Sequence, residues 1–342
     1  MQSSISRQLF SAAVFAAASI MFLGTAADGF ARTCSPFQSA TKKKEMQDSA
    51  VDGDKASKEL KTREPTAKDG ELKWKFTKGQ VTTAAMKQNV TMTMNVAGQN
   101  METKSNSVNE MSLTVDSVDE NGVASVSNVI KRMKVSSSSP MAGTFEYDSE
   151  SDEEPEGQGA MIKEMLAPMI GQTITQKMAK TGKIYDVKIP AEVLEAIQAN
   201  PMMGQMFSEK TFEDLASKST IEFPEKEIVI GTTWEVDAEV KMGPIVLETK
   251  TSYEYRGVAD VDGTPYHVIK GKVSMSFPEG AVQGAEIEVL SEDTNLVMLF
   301  DGNAGRMVKS TLDQNMEMEI VAGGQTIQQN VVQKMDITVT GE

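Results

Sequence analysis

The sequence predicts a mainly β protein of α+β type, in which two β blocks form a large twisted antiparallel sheet or half-barrel with a helical insert between them. Three observations support this prediction. Apolar and polar residues alternate along many segments, Gly-rich and Asn-Gly turn signals separate those segments, and one central stretch changes to helical spacing. Period-two alternation is typical of antiparallel strands that cover a core on one face.

The amino terminus has the pattern of an export signal. Arg7 precedes an uncharged stretch from Leu9 to Leu23, which small residues follow up to Ala27. This order predicts a cleavable secretory signal peptide over 1–27, with Ala31 as an alternative cut and an uncleaved anchor as the competing interpretation. We therefore expect an exported protein, periplasmic or extracellular, with no transmembrane span after cleavage.

The region after the signal predicts a polar tether. Residues 28–70 contain few large apolar side chains, so they cannot offset the entropy of ordering, and we expect a disordered polar linker. Cys34 is the only cysteine, and the residues before it, Ala31-Arg32-Thr33, do not fit a lipidation site. Lipid anchoring is not expected, and an internal disulfide is impossible.

Residues 71–342 are predicted to form the β-rich domain. Its first block alternates over Leu72 to Phe76, Val90 to Met94 and Met111 to Val115, with an Asn121-Gly122 hairpin turn. We expect a meander of about four strands ending near Val135.

The middle of the chain breaks this pattern twice. Residues 136–157 are rich in Asp and Glu without a basic residue, and their spacing does not match an EF-hand, so we expect a self-repelling acidic loop. Residues 158–218 form the helical insert: helical spacing from Met161 to Ile170 with Pro168 near its end, a short hairpin, and helices near Val193 and Phe212.

The second β block is predicted to start at the phrase from Phe223 to Trp234. Long strands follow to the carboxyl end, broken at Asp262-Gly263 and Gly323-Gly324. The segment from Gln88 to Met94 is similar to that from Gln314 to Ile320. This similarity favours an internal duplication, or reflects chance between amphipathic strands.

These features resemble an uncharacterised family of exported bacterial β-rich proteins known as a domain of unknown function. The resemblance rests on the signal peptide, the tether, the phrase from Phe223 to Trp234 and the strands from Gly305-Arg306-Met307-Val308 onward, and it covers roughly Leu72 to Glu342. It implies no activity or site residues. More weakly, the plan is similar to that of the half-barrel lipoprotein carriers of the periplasm, at the level of fold only.

No catalytic, cofactor-binding or metal-ligating set emerges from the residues. His267 is the only histidine, so neither a multi-histidine zinc site nor a Cys-His pair can be built, and we interpret it as an ordinary strand residue. A Gly-x-Ser-x-Gly elbow and a phosphate-binding glycine loop are both missing from the sequence. We therefore predict no cofactor.

Methionine is the one compositional feature that points toward binding. The sequence contains 24 methionines, and this flexible side chain suits surfaces that receive varied apolar partners. The candidate ligand-lining residues on the helical insert are Met161, Met165, Met169, Met202, Met203, Met206 and Phe207. Other methionines occupy alternating strand positions, and simple core packing or a thioether copper(I) site are the competing interpretations.

The predicted function is non-enzymatic binding or carriage of an apolar small molecule, a lipid or a lipidated envelope protein. The net charge of -15 argues against nucleic acid as a partner. The alternatives are a structural or assembly component of the envelope and a hydrolase that uses carboxylates alone.

Overall fold

The computed structural model describes residues 60–96, 98–140, 143–199, 204, 208–217, 220–242, 245–282 and 284–341. The predicted signal peptide, Cys34 and most of the predicted linker lie outside these residues. The strands are β1 (Val81–Val96), β2 (Gln99–Val118), β3 (Ala124–Ser139), β4 (Gly143–Asp148), β5 (Thr173–Met178), β6 (Ile184–Lys188), β7 (Thr233–Met242), β8 (Ile245–Val261), β9 (Thr264–Ser276), β10 (Ala285–Asp301), β11 (Arg306–Ala322) and β12 (Gln325–Gly341). The helices are α1 (Gln158–Leu166), α2 (Ala191–Ala199) and α3 (Glu209–Ser217), with 3-10 turns at Ala67–Asp69 and Ala167–Met169.

The twelve strands of the described residues form one antiparallel sheet, which confirms the predicted fold class. Its order is β6-β5-β3-β2-β1-β12-β11-β10-β9-β8-β7, and β4 also pairs with β3. Most neighbours are joined by short hairpins. The exceptions are β3, which pairs with β5 across the intervening β4 and α1, and β1, which pairs with β12, so the first and last strands of the described residues are adjacent in the centre of the sheet.

The sheet curves until its two edges approach each other. Met178 and Ile184 near one edge share a single core cluster with Val240 and Leu247 near the other. Helix α3 contacts both edge strands, β6 and β7, and the Thr211 hydroxyl donates to the backbone oxygen of Lys241 on β7 at 3.1 Å. The helical insert therefore spans the open side of the sheet.

Two segments predicted as strands fill this open side as irregular chain. Residues 72–76 and 223–232 are not in strands, and their aromatic side chains enter the core instead. The Trp74 ring meets the Phe300 ring edge-on, with centroids 5.4 Å apart, and its indole nitrogen donates to the backbone oxygen of Ile221 at 3.2 Å. Alternation predicted their burial correctly, but the backbone amides of Trp74, Lys75 and Phe223 bond to turn carbonyls rather than to a strand ladder.

Ordered chain begins before the predicted start at Leu72. Asp69 is only 2% exposed, and its carboxylate accepts two hydrogen bonds from the Arg63 guanidinium, both at 2.8 Å, and two from the amide and hydroxyl of Thr66. Arg63 also exchanges backbone hydrogen bonds with Val258. We call residues 63–69 the amino-terminal clasp, because they fasten this segment to the end of the sheet.

The predicted acidic loop is partly sheet. Ser136–Ser139 continue β3, and β4 pairs with that part of it. The Arg132 guanidinium on β3 binds the Asp148 carboxylate through two hydrogen bonds of 3.1 and 2.7 Å, and Lys134 pairs with Glu146. Acidic residues of this segment therefore form ion pairs with basic residues of β3. Those basic residues lie outside 136–157, so the composition of the segment alone does not show them.

Candidate functional site

The inner face of the sheet is the face that carries Met86, Leu312 and Ile337, which belong to the main core. Toward the hairpin ends of β1–β2 and β11–β12, this face changes character. Met316 on β11 and Met92 on β1 both lie opposite Val331 of β12. The two segments of the internal echo are thus separated by one strand, and the duplication itself stays a prediction.

A second apolar cluster fills this part of the inner face. Its buried members are Val90, Met92, Met316, Met318 and Val331, and the half-buried Met94, Phe277, Ile287 and Val289 pack against them. We call it the methionine cluster. The side-chain amide of Gln329 donates to the sulfur of Met92 at 2.9 Å. Because methionine is unbranched and polarizable, such a surface can repack around a guest.

Buried glutamines lie beside the methionine cluster. Gln333 is 0% exposed, and neither its amide nitrogen nor its amide oxygen has a hydrogen-bond partner among the described residues. Its cross-strand neighbour Gln314 donates to the Glu292 carboxylate at 2.8 Å, while its own oxygen has no partner there. Each buried, unpaired polar group costs roughly 1–3 kcal/mol, so this pairing is a poor arrangement for a closed core.

The sheet splits between β9 and β10 at the same level. The backbone ladder joins Leu296–Phe300 to residues 267–271 and stops there. Beyond it, the Thr294 hydroxyl accepts from the amide of Val273 at 2.8 Å and donates to its carbonyl at 3.0 Å. The Glu292 carboxylate then accepts from the amide of Met275 at 2.9 Å. Side-chain hydrogen bonds therefore take the place of the backbone ladder over this part of the two strands.

A pocket of about 400 Å³ lies beside the segment that connects β9 to β10. Its wall combines the segment after β9, the start of β10 and the end of β11, and it includes Phe277 and Ile287, which also contact the methionine cluster. Four acidic residues surround it: Glu279, Glu286, Glu288 and Glu319. The sequence pattern here predicts two strands, 285–290 and 295–300, but the structure has the single strand β10 with a bulge between Val289 and Ser291.

Glu292 is the ionisable group closest to the glutamines. Burial raises its pKa above the usual 4.5, and the hydrogen bonds from Met275 and Gln314 act in the opposite direction. The Glu292 side chain is half-buried, on the part of β10 where the backbone ladder to β9 has ended. Glu292, Gln314 and Gln333 are not predicted as site residues from the sequence, where their only signal is a polar side chain at a position that alternation reserves for apolar residues.

The predicted lining residues on the helical insert lie elsewhere. Met165 is buried against Val193 and Ile197, with Met169 packed beside them, in a cluster separate from the sheet core. Met161 is 64% exposed. Met202, Met203, Met206 and Phe207 lie outside the described residues, so the lining role of the helical set stays a prediction.

The only histidine is buried within the fold. The Tyr255 hydroxyl is 2.7 Å from Nδ1 of His267, and Nε2 is 3.2 Å from the backbone oxygen of Asp69. Burial lowers the pKa of His267, so it is neutral in the folded protein. A neutral ring that accepts from the tyrosine and donates to the carbonyl secures the amino-terminal clasp. Within the described ranges, no three His, Cys, Asp or Glu side chains form a group that could hold a metal ion.

The fold and site define a class of protein: one open, curved antiparallel sheet, spanned by short helices, with a polar and methionine-rich inner face. The chain belongs to a family of unknown function, DUF6263, whose model matches residues 121–292. A comparison with curated proteins finds no match. In the described part of the chain, no helix combines the length and apolar character needed to cross a membrane.

Solved structures show only distant likeness. Lipovitellin, in a structure of its lipid-protein interactions, is 11% identical with a TM-score of 0.39, and the match covers 78% of this chain and 26% of that one. This chain therefore spans about a quarter of lipovitellin. An outer membrane channel from Pseudomonas putida is 9% identical with a TM-score of 0.28, and the match covers 78% of this chain and 97% of the channel. A Bacteroides fragilis protein with a YmcC-like fold is 10% identical with a TM-score of 0.23, and the match covers 76% of this chain and 96% of that protein.

Proposed function

We propose that this protein is a non-enzymatic binding protein of the cell envelope, which holds an amphiphilic ligand with a long apolar body. The observation that carries the proposal is the methionine cluster on the inner face with the buried, unpaired amide of Gln333 beside it. A pocket of about 400 Å³ adjoins this cluster through Phe277 and Ile287. An apolar surface with a few convergent polar groups is typical of a small-molecule site.

The energetics support a guest rather than a closed core. Burying apolar surface of the ligand against Met92, Met316 and Met318 contributes about 25 cal/mol per Å². Pairing the amide of Gln333 with a polar ligand atom removes a cost of about 1–3 kcal/mol. Both contributions favour the bound state.

Export and carriage belong to the same proposal. The predicted signal peptide over 1–27 supports an envelope location, and amino-terminal sequencing of native material is the test: a retained Met1 would contradict it. A structural or assembly role is the alternative. It requires a rigid interior, whereas a carrier requires one that releases its guest.

Native mass spectrometry of the purified full chain, followed by solvent extraction, is the first experiment. A bound amphiphile, or saturable uptake of the neutral fluorescent probe N-phenyl-1-naphthylamine, supports the proposal. A ligand-free spectrum together with no uptake contradicts it and favours the structural role.

Tryptophan substitutions locate the site. Met316→Trp should block probe uptake, because its larger ring occupies the methionine cluster, whereas Met161→Trp on the exposed helix surface is the matched control. Met165→Trp tests the predicted helical site. If Met165→Trp alone abolished uptake, the ligand would lie on the helical insert and not on the sheet.

A further inference from the structure

We propose that the polar end of the ligand is an uncharged head group bearing hydroxyls, and that Glu292, Gln314 and Gln333 bind it. This inference rests on the proposed function and specifies the class of ligand. It excludes free fatty acids and phosphate-bearing lipids from the same site.

The side chains of Glu292, Gln314 and Gln333 offer a ligand more hydrogen-bond acceptors than donors. The oxygens of Gln314 and Gln333 have no partner among the described residues, and each Glu292 oxygen accepts one hydrogen bond, which leaves a further lone pair. The unpaired donor beside them is the amide nitrogen of Gln333. The site therefore offers mainly acceptors, together with a donor. A hydroxyl, which can both donate and accept, matches it.

The inner face of the sheet near this site carries no positive charge at its described positions on β1, β2, β11 and β12. The inner-face positions follow from the strand registers. They are 82 to 94 on β1, 103 to 113 on β2, 310 to 320 on β11 and 329 to 339 on β12, taking every second residue. None of these described positions is Lys, Arg or His. A carboxylate or phosphate placed there would be buried without a counterion and beside Glu292, which is strongly unfavourable.

Three lipids that share a twelve-carbon chain and differ in head group test the inference: monolaurin is uncharged, laurate is an anion and dodecylamine is a cation. Affinities are measured by displacement of the neutral fluorescent probe at pH 7.4, below the aggregation concentration of each lipid. We expect monolaurin to bind at least about tenfold more tightly than laurate. Equal or tighter binding of laurate would overturn the head-group inference while leaving the proposed function intact.

Paired variants assign the effect to the named side chains. Gln333→Ala should weaken monolaurin about fivefold or more, with Gln328→Ala on the exposed face of the same strand as control. Glu292→Gln should raise laurate affinity and weaken monolaurin, which loses a charged acceptor, so that the preference for monolaurin narrows; the exposed Glu317→Gln is the control. Circular dichroism verifies the fold of each variant, and Gln333→Ala decides the question if Glu292→Gln does not fold.

The amine separates a neutral head from a cationic one. If dodecylamine bound more than about tenfold more tightly than monolaurin, and Glu292→Gln removed that preference, the site would recognise a cation and the inference would be overturned. If none of the three lipids displaced the probe, and the probe itself did not bind, the proposed function would fail together with the inference.

Discussion

Replacing Asp69 with Asn should loosen the amino-terminal clasp and destabilise the whole domain. The carboxylate receives four hydrogen bonds, two from Arg63 and two from Thr66, although its side chain is 2% exposed. An amide keeps one acceptor oxygen but turns an NH₂ group toward these donors. Three of the four bonds reach Oδ2 and one reaches Oδ1, so an amide with its oxygen in the Oδ2 position loses one Arg63 bond and removes the negative charge from the other three.

The magnitude follows from which donors can be rehydrated. Arg63 is 41% exposed, so water replaces its lost bonds and screening reduces their weight. The two Thr66 bonds are retained at Oδ2, but each changes from a bond to a buried charge to a neutral bond, which weakens it by about 1 kcal/mol. We expect a loss of about 2–3 kcal/mol, which corresponds to a fall in Tm of about 4–12 °C for a domain of this size.

The pH dependence of this effect provides an independent check. The hydrogen bonds from Arg63 hold the pKa of Asp69 well below its usual 3.8, so the stabilisation is present above pH 3.8 and is lost as pH falls through the lower, folded value. Urea unfolding at pH 7, pH 5 and pH 3 should show the difference between wild type and variant shrinking only at the lowest pH. Asp152→Asn, in the exposed segment after β4, is the control. A difference under about 0.5 kcal/mol at pH 7 would refute the reasoning.

Three further perturbations test the core and its buried ionisable groups. Trp74→Ala should cost about 3–5 kcal/mol in urea unfolding, because the ring is 1% exposed and its nitrogen bonds to Ile221; a cost under 1 kcal/mol would mean that the open side is not sealed by this segment. Glu292→Gln should leave stability at pH 7 unchanged or raise it. Because burial raises the pKa of Glu292, its stabilising contribution is complete below pH 4.5 and is lost as pH rises through the folded pKa. Urea unfolding of the variant should lack this pH dependence. Tyr255→Phe should cost about 1 kcal/mol and weaken hydrogen-exchange protection near His267, and unchanged protection would argue against the observed hydrogen bond.

Local patterns determined much of the architecture. Period-two alternation placed Met92, Met111 and Met316 on one face of their strands, and all three are buried there. Helical spacing and Pro168 predicted a helix that bends or ends near the proline, and α1 ends at Leu166, where a 3-10 turn over Ala167–Met169 begins. These features depend on residues close in sequence, because one buried face is sufficient to create the pattern.

Tertiary structure alone decided which strands meet and where the ladder fails. Nothing in the sequence of β1 shows that it pairs with β12, and the choice depends on how the whole sheet closes around its core. The separation of β9 from β10 is equally hidden, since Thr294 and Glu292 look like ordinary strand residues until their side chains are seen to replace backbone bonds. The candidate site depends on both outcomes. It brings together Met92, Glu292 and Gln333, which are far apart in sequence, and hydrogen-bond satisfaction of a buried side chain is a property of the assembled neighbours rather than of the chain order.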